Sequence, residues 1–294
     1  MIATAVLAAA ACAAGLLTAG TGTVQAAARP GVPAPETAWT GVPAPETAPP
    51  GVPVPETSWT ELSGLSETWS KASKALLEPM VAAAEGARGR PVDCRRAKCV
   101  ALTFDDGPGR YTDALLRQLA AYRAQATFFV VGQNVAAYPG ILRRTVAAGH
   151  EIGNHTWSHA DLTRLSAAGV RAQLARADQM IKAVTGMVPR LVRPPYGAMN
   201  AAVRRQTSRP MVMWSVDTLD WLHRDSARVT RKAVKSVRPG SVILFHDIHP
   251  TTVRAMPQVL KALSKRGYKF VTVSRLFGGN PPRLVYSGAG PGVL

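Results

Sequence analysis

The sequence predicts an α/β fold, a barrel of about seven parallel strands within residues 93–278. From residue 93 onward, short apolar strand patterns alternate with helical patterns, which favours a parallel sheet with right-handed crossovers. About seven such units occupy only about 185 residues, which leaves little room for insertions. Polar residues also recur where the strand patterns end, the edge at which α/β barrels place their chemistry.

Residues 1–28 resemble a secretory signal peptide. They hold no charged residue, are rich in Ala and Leu, and have small residues for cleavage near Ala26 or Ala28. A basic n-region is missing, and the alternatives are an uncleaved membrane anchor or lipid attachment at Cys12. Because glycines interrupt the apolar run, we expect no stable membrane span after processing and a secreted or cell-wall-associated protein.

A proline-rich linker is predicted over residues 29–60. Residues 31–60 are three repeats, GVPAPETAWT, GVPAPETAPP and GVPVPETSWT, whose alternating prolines favour extended polyproline geometry. Residues 61–92 predict an amphipathic helix and a further linker, because apolar residues such as Leu62, Leu65 and Trp69 recur at helical spacing. We expect this helix to pack on the barrel, with a membrane surface as the alternative.

The barrel region contains seven strand patterns separated by helical patterns. The strand patterns are residues 99–104, 126–131, 150–153, 191–192, 211–216, 242–246 and 270–273. The helical patterns include residues 112–122, 141–148, 167–185, 227–237 and 252–266. Residues 279–294 are rich in Gly and Pro and predict a tail.

Two cysteines stand directly before the first strand pattern. Cys94 and Cys99 lie in DCRRAKC, and an exported protein meets an oxidising compartment that permits a disulfide between them. Zinc binding is the rival interpretation, but no third ligand is near in sequence. Two reduced thiols are a further alternative. We expect the disulfide.

The chain is strongly basic, with a formal net charge of +17. After residue 91, 30 basic residues stand against 11 acidic ones, a formal +19. Such a charge attracts anionic partners, and nucleic acid is one such class. We expect no nucleic-acid partner, because no recognition motif is visible and an exported protein meets anionic wall polymers instead. The basic residues are scattered over several predicted helices, which is typical of a solvated surface.

Two adjacent carboxylates follow the first strand pattern. Residues 101–109 read ALTFDDGPG, so Asp105 and Asp106 stand between an apolar run and a Gly-Pro-Gly turn. Taken alone, this pattern is as typical of solvated turn residues as of a functional site. Its interpretation depends on the motifs downstream.

Two histidines then occur four residues apart in residues 153–159, GNHTWSH. On one helical turn, His155 and His159 would face the same way and suit a single metal ion. A capping and a surface histidine are the alternative. With Asp106, the set becomes two imidazoles and one carboxylate, which leaves open positions for water and substrate, as in catalytic sites.

Three further polar motifs follow later strand patterns. RPPYG begins at Arg193, DTLDW begins at Asp217, and LFHD contains His246. Each alone would be an ordinary turn or a hydrogen-bonded core residue. Five polar groups that recur at successive strand ends instead favour a single site.

The motifs TFDDGP, HTWSH, RPPYG, DTLDW and LFHD resemble, in order and spacing, those of the polysaccharide deacetylase family, carbohydrate esterase family 4, with its NodB-type domain. The resemblance covers about residues 94–275 and implies an irregular, TIM-barrel-like (β/α) barrel. It implies nothing about the segment that precedes the barrel.

The resemblance also implies a metal site and a base. Asp106, His155 and His159 would bind a divalent metal, most commonly Zn²⁺, with Co²⁺ or a similar ion as the alternative. Asp105 would be the general base, and Arg193 would pair with it and keep its pKa low. A bound metal brings the pKa of water toward about 7, which suits amide hydrolysis at neutral pH.

The resemblance implies roles for five further residues. His246 would be the general acid, and Asp220 would orient and charge it. The backbone N–H of Tyr196 would face the oxyanion, and Trp221 and Leu244 would wall the acetyl pocket.

The implied function is that of a secreted, metal-dependent deacetylase acting on the N-acetylglucosamine of a polysaccharide. The basic charge and the wall-length linker favour bacterial peptidoglycan, and HDIHPTT at residues 246–252 is more similar to peptidoglycan-acting than to xylan-acting members. The alternatives are a chitooligosaccharide deacetylase, an acetylxylan esterase or, outside this class, a catalytically silent carbohydrate-binding module.

Overall fold

The computed structural model describes residues 92–285. The expected signal peptide, the repeat linker and the helix expected after residue 60 lie outside the described residues, as do residues 286–294.

Eight strands form within residues 92–285, and every pairing between them is parallel. They are β1 (Cys99–Asp105), β2 (Thr127–Val130), β3 (Glu151–Asn154), β4 (Met211–Val212), β5 (Val216–Asp217), β6 (Val242–His246), β7 (Lys269–Val271) and β8 (Leu284–Val285). The predicted α/β class with a parallel sheet is confirmed.

Nine α-helices connect these strands in the part of the chain that is described. They are α1 (Thr112–Ala121), α2 (Gly132–Ala137), α3 (Pro139–Ala147), α4 (Ala167–Thr185), α5 (Ala201–Arg204), α6 (Asp220–His223), α7 (Ser226–Ser236), α8 (Pro250–Lys265) and α9 (Val273–Leu276). The five helical patterns of the sequence agree with α1, α3, α4, α7 and α8 to within about two residues. None of the described helices is long and apolar enough to cross a membrane.

The strands curve into an irregular barrel. Its main sheet has the order β3-β2-β1-β6-β5, and β7 pairs with the first half of β1. Val192 connects the β3 edge of the main sheet to β4, because it makes parallel bridges to Asn154 at the end of β3 and to Met211 in β4. The strand predicted over residues 191–192 is therefore wrong as a strand, and only these isolated bridges form.

The strand predicted over residues 211–216 is divided into β4 and β5. Met213 N–H donates to the carbonyl of Val285 at 2.7 Å, whereas Ser215 N–H donates to the carbonyl of Val242 at 2.9 Å. The segment thus changes its pairing partner from β8 to β6 within two residues, which interrupts the regular ladder.

Alternate residues of the strands face opposite sides of the barrel wall. On β1, Phe104 faces outward and stacks between its two register partners, Phe128 at 5.1 Å and Phe245 at 5.5 Å between ring centroids. This layer packs against α1 and α8 in the larger core cluster. The alternating residues Thr103 and Asp105 face the barrel interior.

β8 lies in the segment that the sequence placed in a tail from residue 279. Leu284–Val285 pairs with Met211–Val212, and Val285 is buried in a core cluster. The assignment of these residues to a tail is wrong, because their partner lies about 70 residues earlier and a two-residue strand has no periodicity to detect.

The structure has Cys94 and Cys99 in a disulfide bond, with 5.4 Å between their Cα atoms. Cys99 is the first residue of β1, so the bond ties the turn over residues 93–97 to the start of the central strand. Neither sulfur is free to bind zinc in this arrangement.

Candidate active site

The motif residues meet at the carboxyl edge of the barrel. Asp105 at the end of β1 pairs in register with His246 at the end of β6, and Asn154 ends β3. Arg193 follows the Val192 bridge, and Asp220 begins the short helix α6 after β5. Parallel strands deliver their carboxyl ends to one edge, so motifs far apart in sequence lie together.

Three candidate metal ligands come together at this edge. One ligand atom from each of Asp106, His155 and His159 lies within 4.8 Å of the others. His155 Nε2 is 3.5 Å and His159 Nε2 is 3.3 Å from Asp106 Oδ1. That oxygen is buried and accepts no hydrogen bond from any described residue. A buried carboxylate oxygen without a donor, facing two imidazole nitrogens, fits a divalent cation.

His155 is held in the tautomer that a metal ligand needs. Its Nδ1 donates to the backbone carbonyl of Arg193 at 2.7 Å, which leaves the Nε2 lone pair facing the carboxylates. Burial, and then the charge of His159, lower the pKa of His155 to about 3. The imidazole is therefore neutral at physiological pH, as coordination requires.

The helical turn expected for His155 and His159 is wrong. The segment is a loop in which Thr156 and His159 have φ of 70° and 57°. The Asn154 side chain fixes this loop, because its Oδ1 accepts from Thr156 N–H at 2.7 Å and its Nδ2 donates to Asp178 at 2.7 Å. The two rings still approach to 5.0 Å between centroids, through the loop and not through helical periodicity.

Left-handed backbone is concentrated at this edge. Asp106, Tyr196 and Leu219 have φ of 73°, 60° and 55°, in addition to the two residues of the histidine loop. Positive φ is costly for residues other than glycine, and it persists where the surrounding structure enforces a functional geometry. Five such residues in four motif loops indicate an edge that is shaped for a site.

Arg193 and Asp105 form a buried ion pair. Arg193 Nη1 donates to Asp105 Oδ1 at 2.7 Å and to Thr103 Oγ1 at 2.8 Å. The rest of the guanidinium donates to the carbonyls of Val212 and Met213, and its face lies 4.1 Å from the ring of Phe129. The arginine is thus fixed on all sides, and it orients Asp105 toward the histidines, with Oδ2 at 3.6 Å from His155 Nε2.

Burial and Arg193 act in opposite directions on the pKa of Asp105, and the expectation that Arg193 keeps it low in the metal-loaded site stays a prediction. Burial raises the pKa of Asp105, and Arg193, His246 and His159 only partly offset it. Burial likewise lowers the pKa of Arg193. Desolvation therefore outweighs the pairing at this position, and a cation at the adjacent ligands would favour the carboxylate form.

His246 is fixed by Asp220, the first residue of α6. Asp220 Oδ1 lies 2.8 Å from His246 Nδ1, and Asp220 Oδ2 accepts from the backbone N–H of His246 at 2.7 Å. Thr252 Oγ1 donates to the same Oδ2 at 2.7 Å, and Trp221 N–H donates to Oδ1 at 2.9 Å. Four interactions on one buried carboxylate leave Nε2 as the free nitrogen of His246.

This network keeps His246 protonated. Burial lowers the pKa of His246, but the hydrogen bond and the charge of Asp220, followed by the charges of Asp106 and Asp105, raise it to about 9. Burial raises the pKa of Asp220, yet its hydrogen bonds to His246 and Thr252 leave it lower than usual. The pair is an imidazolium and a carboxylate at neutral pH.

The remaining predicted residues line the same edge. The Tyr196 side chain is 63% exposed, and its hydroxyl lies 3.2 Å from His159 Nδ1. Trp221 is 46% exposed beside Asp220, which makes two open aromatic surfaces at the rim. Leu244 is buried, and strand alternation places it on the inner face with His246, two residues along β6.

Asp247 was left without a role by the sequence reasoning. It is fully buried, its Oδ2 accepts from Thr112 Oγ1, and its Oδ1 has no hydrogen-bond partner among the described residues. A Cβ added to Gly107 would lie 2.5 Å from both oxygens. Burial raises the pKa of Asp247 to about 7. Its place in LFHD was the available signal.

Thr103, Asn154 and Thr252 were also missed. Each supports a motif residue by one hydrogen bond or more, to Arg193, to the histidine loop and to Asp220 respectively. Asn154 stands inside a recognised motif and could have been singled out. Thr103 begins the motif TFDDGP and Thr252 ends HDIHPTT, so both also stand in quoted segments, but the sequence does not show which residues they would bond.

Comparison with known proteins agrees with this geometry. The polysaccharide deacetylase family model matches residues 93–210. The peptidoglycan-N-acetylglucosamine deacetylase PgdA of Listeria monocytogenes is 40% identical over 182 residues, which are 62% of this chain and 39% of that protein. A chitooligosaccharide deacetylase of Bradyrhizobium sp. is 36% identical over 203 residues, 63% of this chain and 93% of that protein.

A solved structure is similar over nearly the same region. A T48 deacetylase with substrate has a TM-score of 0.65 and 47% identity, over 67% of this chain and 100% of that one. The chain spans about two fifths of the length of the Listeria relative but almost all of the Bradyrhizobium one. Fold, motif geometry and these similarities together establish that the chain belongs to the polysaccharide deacetylase family.

Proposed function

We propose that this chain is an exported, metal-dependent deacetylase that hydrolyses the N-acetyl groups of N-acetylglucosamine in peptidoglycan. The observation that carries the proposal is the buried, unpaired Oδ1 of Asp106 between His155 and His159. On either side stand a buried carboxylate fixed by Arg193 and an imidazolium fixed by Asp220. A Lewis acid site flanked by a base and an acid is what amide hydrolysis requires.

The metal would be held by Asp106, His155 and His159, and Zn²⁺ suits this donor set best, with Co²⁺ as the alternative. A bound divalent cation would polarise the acyl oxygen and supply a water that is nucleophilic at neutral pH. Asp105 would accept the proton of the attacking water at Oδ2, because Arg193 already occupies Oδ1.

His246 would donate a proton to the leaving nitrogen. Its Nδ1 is occupied by Asp220, so Nε2 is the nitrogen that faces the interior. With a pKa near 9, the ring carries the proton at neutral pH and can protonate an amine that otherwise leaves poorly. Asp105 and His246 pair in register on adjacent strands, so base and acid reach the acyl group from neighbouring positions.

The rim residues would bind the sugar and the acetyl group. We infer that the backbone N–H of Tyr196 faces the oxyanion, in keeping with the left-handed turn at this residue. Trp221 and Leu244 would wall the acetyl pocket, one at the exposed rim and one on the inner face of β6. The exposed ring of Trp221 also suits stacking on a pyranose face.

Peptidoglycan is the proposed polymer for three reasons. The Listeria relative is named for that substrate, the described residues carry 30 basic against 11 acidic side chains, and an export signal and a wall-length linker are expected before the barrel. Chitooligosaccharides are the second candidate, because the Bradyrhizobium relative is named for them and the match covers 93% of its length. A silent binding module is disfavoured by the complete set of acid, base and ligands.

Acetate release by the full-length chain tests the proposal. Peptidoglycan, chitooligosaccharides and acetylated xylan would be supplied in parallel, with Zn²⁺, with Co²⁺ and after chelation, and bound metal would be measured. We expect chelator-sensitive acetate mainly from peptidoglycan. A preference for xylan would contradict the proposed substrate but would agree with the proposed reaction. If the chain bound metal but released no acetate from any substrate, the proposed activity would be contradicted and a carbohydrate-binding module would be favoured.

A further inference from the structure

Helix α7 carries a stripe of positive charge. Arg228, Arg231, Lys232 and Lys235 stand at helical spacing and all four are exposed, while Val229 and Ala233 on the other side are buried. The basic residues are spread over several helices, as expected, and α7 has four cations on one face and no acidic residue.

A groove of about 340 Å³ runs along this stripe. Its walls are the four cations, His223, Thr218, Leu219 and Ser236, none of which is acidic. The nearest acidic residue in sequence, Asp225, is engaged at the helix start, where its side chain accepts from Arg228 N–H at 2.9 Å. The charge of Asp225 also acts on Arg228 and Arg231 and partly offsets them, so four cations stand against one nearby carboxylate and the groove keeps a net positive potential. The aliphatic parts of the long side chains make its floor.

The groove adjoins the candidate active site. Thr218 and Leu219 line it, and the next residues in the chain are Asp220, which holds His246, and Trp221 at the rim. Thr218 Oγ1 also donates to the carbonyl of Leu244 at 2.8 Å, which ties the groove wall to β6. Leu219 and Trp221 are two residues apart, so their Cα atoms are at most about 7.6 Å apart and a polymer bound at Trp221 would lie close to the groove wall.

We propose that this groove binds the carboxylates of the peptides attached to the glycan, beside the sugar whose acetyl group is removed. The inference rests on the proposed function, and it adds a recognition element outside the family motifs. Guanidinium and ammonium groups pair with carboxylates, and a groove lined by several of them holds a flexible anionic chain without demanding one sequence. Plain polymers of N-acetylglucosamine carry no carboxylate, so the groove separates peptide-bearing polymer from such N-acetylated sugars.

The test compares two double variants of the full-length chain. Arg231→Gln with Lys235→Gln removes two charges from the groove, and Lys261→Gln with Lys265→Gln removes two exposed charges, at the same spacing, from α8. Substrates would be peptidoglycan freed of phosphate-containing polymers and particulate, fully N-acetylated chitin, which carries no carboxylate. We expect the groove variant to lose about tenfold in kcat/KM on the peptide-bearing glycan only, with a weaker salt dependence. The α8 variant should match the unaltered chain.

Co-sedimentation with the two insoluble glycans gives a second readout that needs no turnover. We expect the unaltered chain to bind the peptide-bearing glycan more tightly, and the groove variant to lose that difference. The groove proposal would be overturned if the groove variant lost binding equally on both glycans, or if the α8 variant lost as much as the groove variant. It would also be overturned if the unaltered chain bound peptidoglycan only after phosphate-containing polymers were added back. Binding that follows the peptides without any acetate release would overturn the proposed activity and leave the groove standing.

Discussion

Arg193 Nη1 donates to Asp105 Oδ1 at 2.7 Å, and both side chains are almost completely buried. One guanidinium thereby joins the end of β1 to the carbonyls of residues 212 and 213 on the opposite wall. The ion pair directs the second oxygen of Asp105 toward the candidate metal ligands. Structure and proposed chemistry therefore depend on the same contact, and substitutions can separate them.

Asp105→Asn should separate metal binding from turnover. Asparagine can still accept from Arg193 at Oδ1, so the fold and the ligands Asp106, His155 and His159 are kept, while the proton acceptor is lost. We expect acetate release to fall by about 10²- to 10⁴-fold with metal content unchanged. His155→Ala is the contrasting variant and should lose both. Full activity in either variant would refute the assigned roles.

Arg193→Ala should be strongly destabilising. It leaves the buried carboxylate of Asp105 unpaired and two carbonyls without donors, which typically costs about 3–5 kcal/mol. The control is Arg144→Ala, which breaks the 2.6 Å pair with Asp113 on the surface and should cost about 0.2–1 kcal/mol. Denaturant unfolding measures both. Similar losses would mean that burial does not decide the strength of the Arg193 pair.

The alkaline limb of the pH–rate profile should report His246. Its protonated form is the proposed acid, so activity is retained below the pKa of about 9 and lost as the pH rises through it. Asp220→Asn removes the main influence that raises this pKa, while burial still lowers it. The limb should therefore move to lower pH by about one unit or more.

Equal metal loading is the control for that comparison. A bound cation favours neutral imidazole, so it moves the limb of both proteins in the same direction. Circular dichroism would verify that Asp220→Asn is folded, since Asp220 is buried and also holds Thr252. An unchanged limb in a folded, metal-loaded variant would exclude His246 as the titrating acid.

Gly107→Ala should disturb the turn that presents Asp106. The added Cβ would lie 2.5 Å from the buried carboxylate of Asp247, which Thr112 holds in place. We expect a loss of about 1–3 kcal/mol in stability and a weaker affinity for Zn²⁺ by calorimetry. Gly109→Ala is the control, because its Cβ would meet Ile248 at an ordinary 3.4 Å. Unaltered Zn²⁺ affinity in the Gly107 variant would show that the turn accommodates the added Cβ without moving Asp106.

Much of this edge was predictable because strand ends are visible in sequence. The apolar runs of β1 and β6 stop at Asp105 and His246, and the predicted ends lie within about one residue of those in the structure. Parallel topology then brings these ends together without further information. The long helices were predictable for the same reason, since α4 presents five turns of regular apolar spacing.

The parts that escaped prediction depend on distant partners. The histidine loop is bent by hydrogen bonds of Asn154, and its spacing of four residues imitates a helix. Val192 and β8 are too short to show a period, and each is defined by pairing with β4. The raised pKa of Asp105 follows from burial, which a sequence with an arginine nearby does not reveal.

β8 connects the C-terminal segment to Arg193. Val285 accepts from Met213 N–H, and the carbonyl of Met213 in turn accepts from Arg193 Nη2. A protease that trimmed the chain back to residue 278 would remove this support while leaving every family motif intact. Such a product would still match the family in sequence, yet the carbonyl that holds Arg193 Nη2 would lose its own support, so proteolytic trimming at this end would loosen the Arg193–Asp105 pair before any motif is damaged.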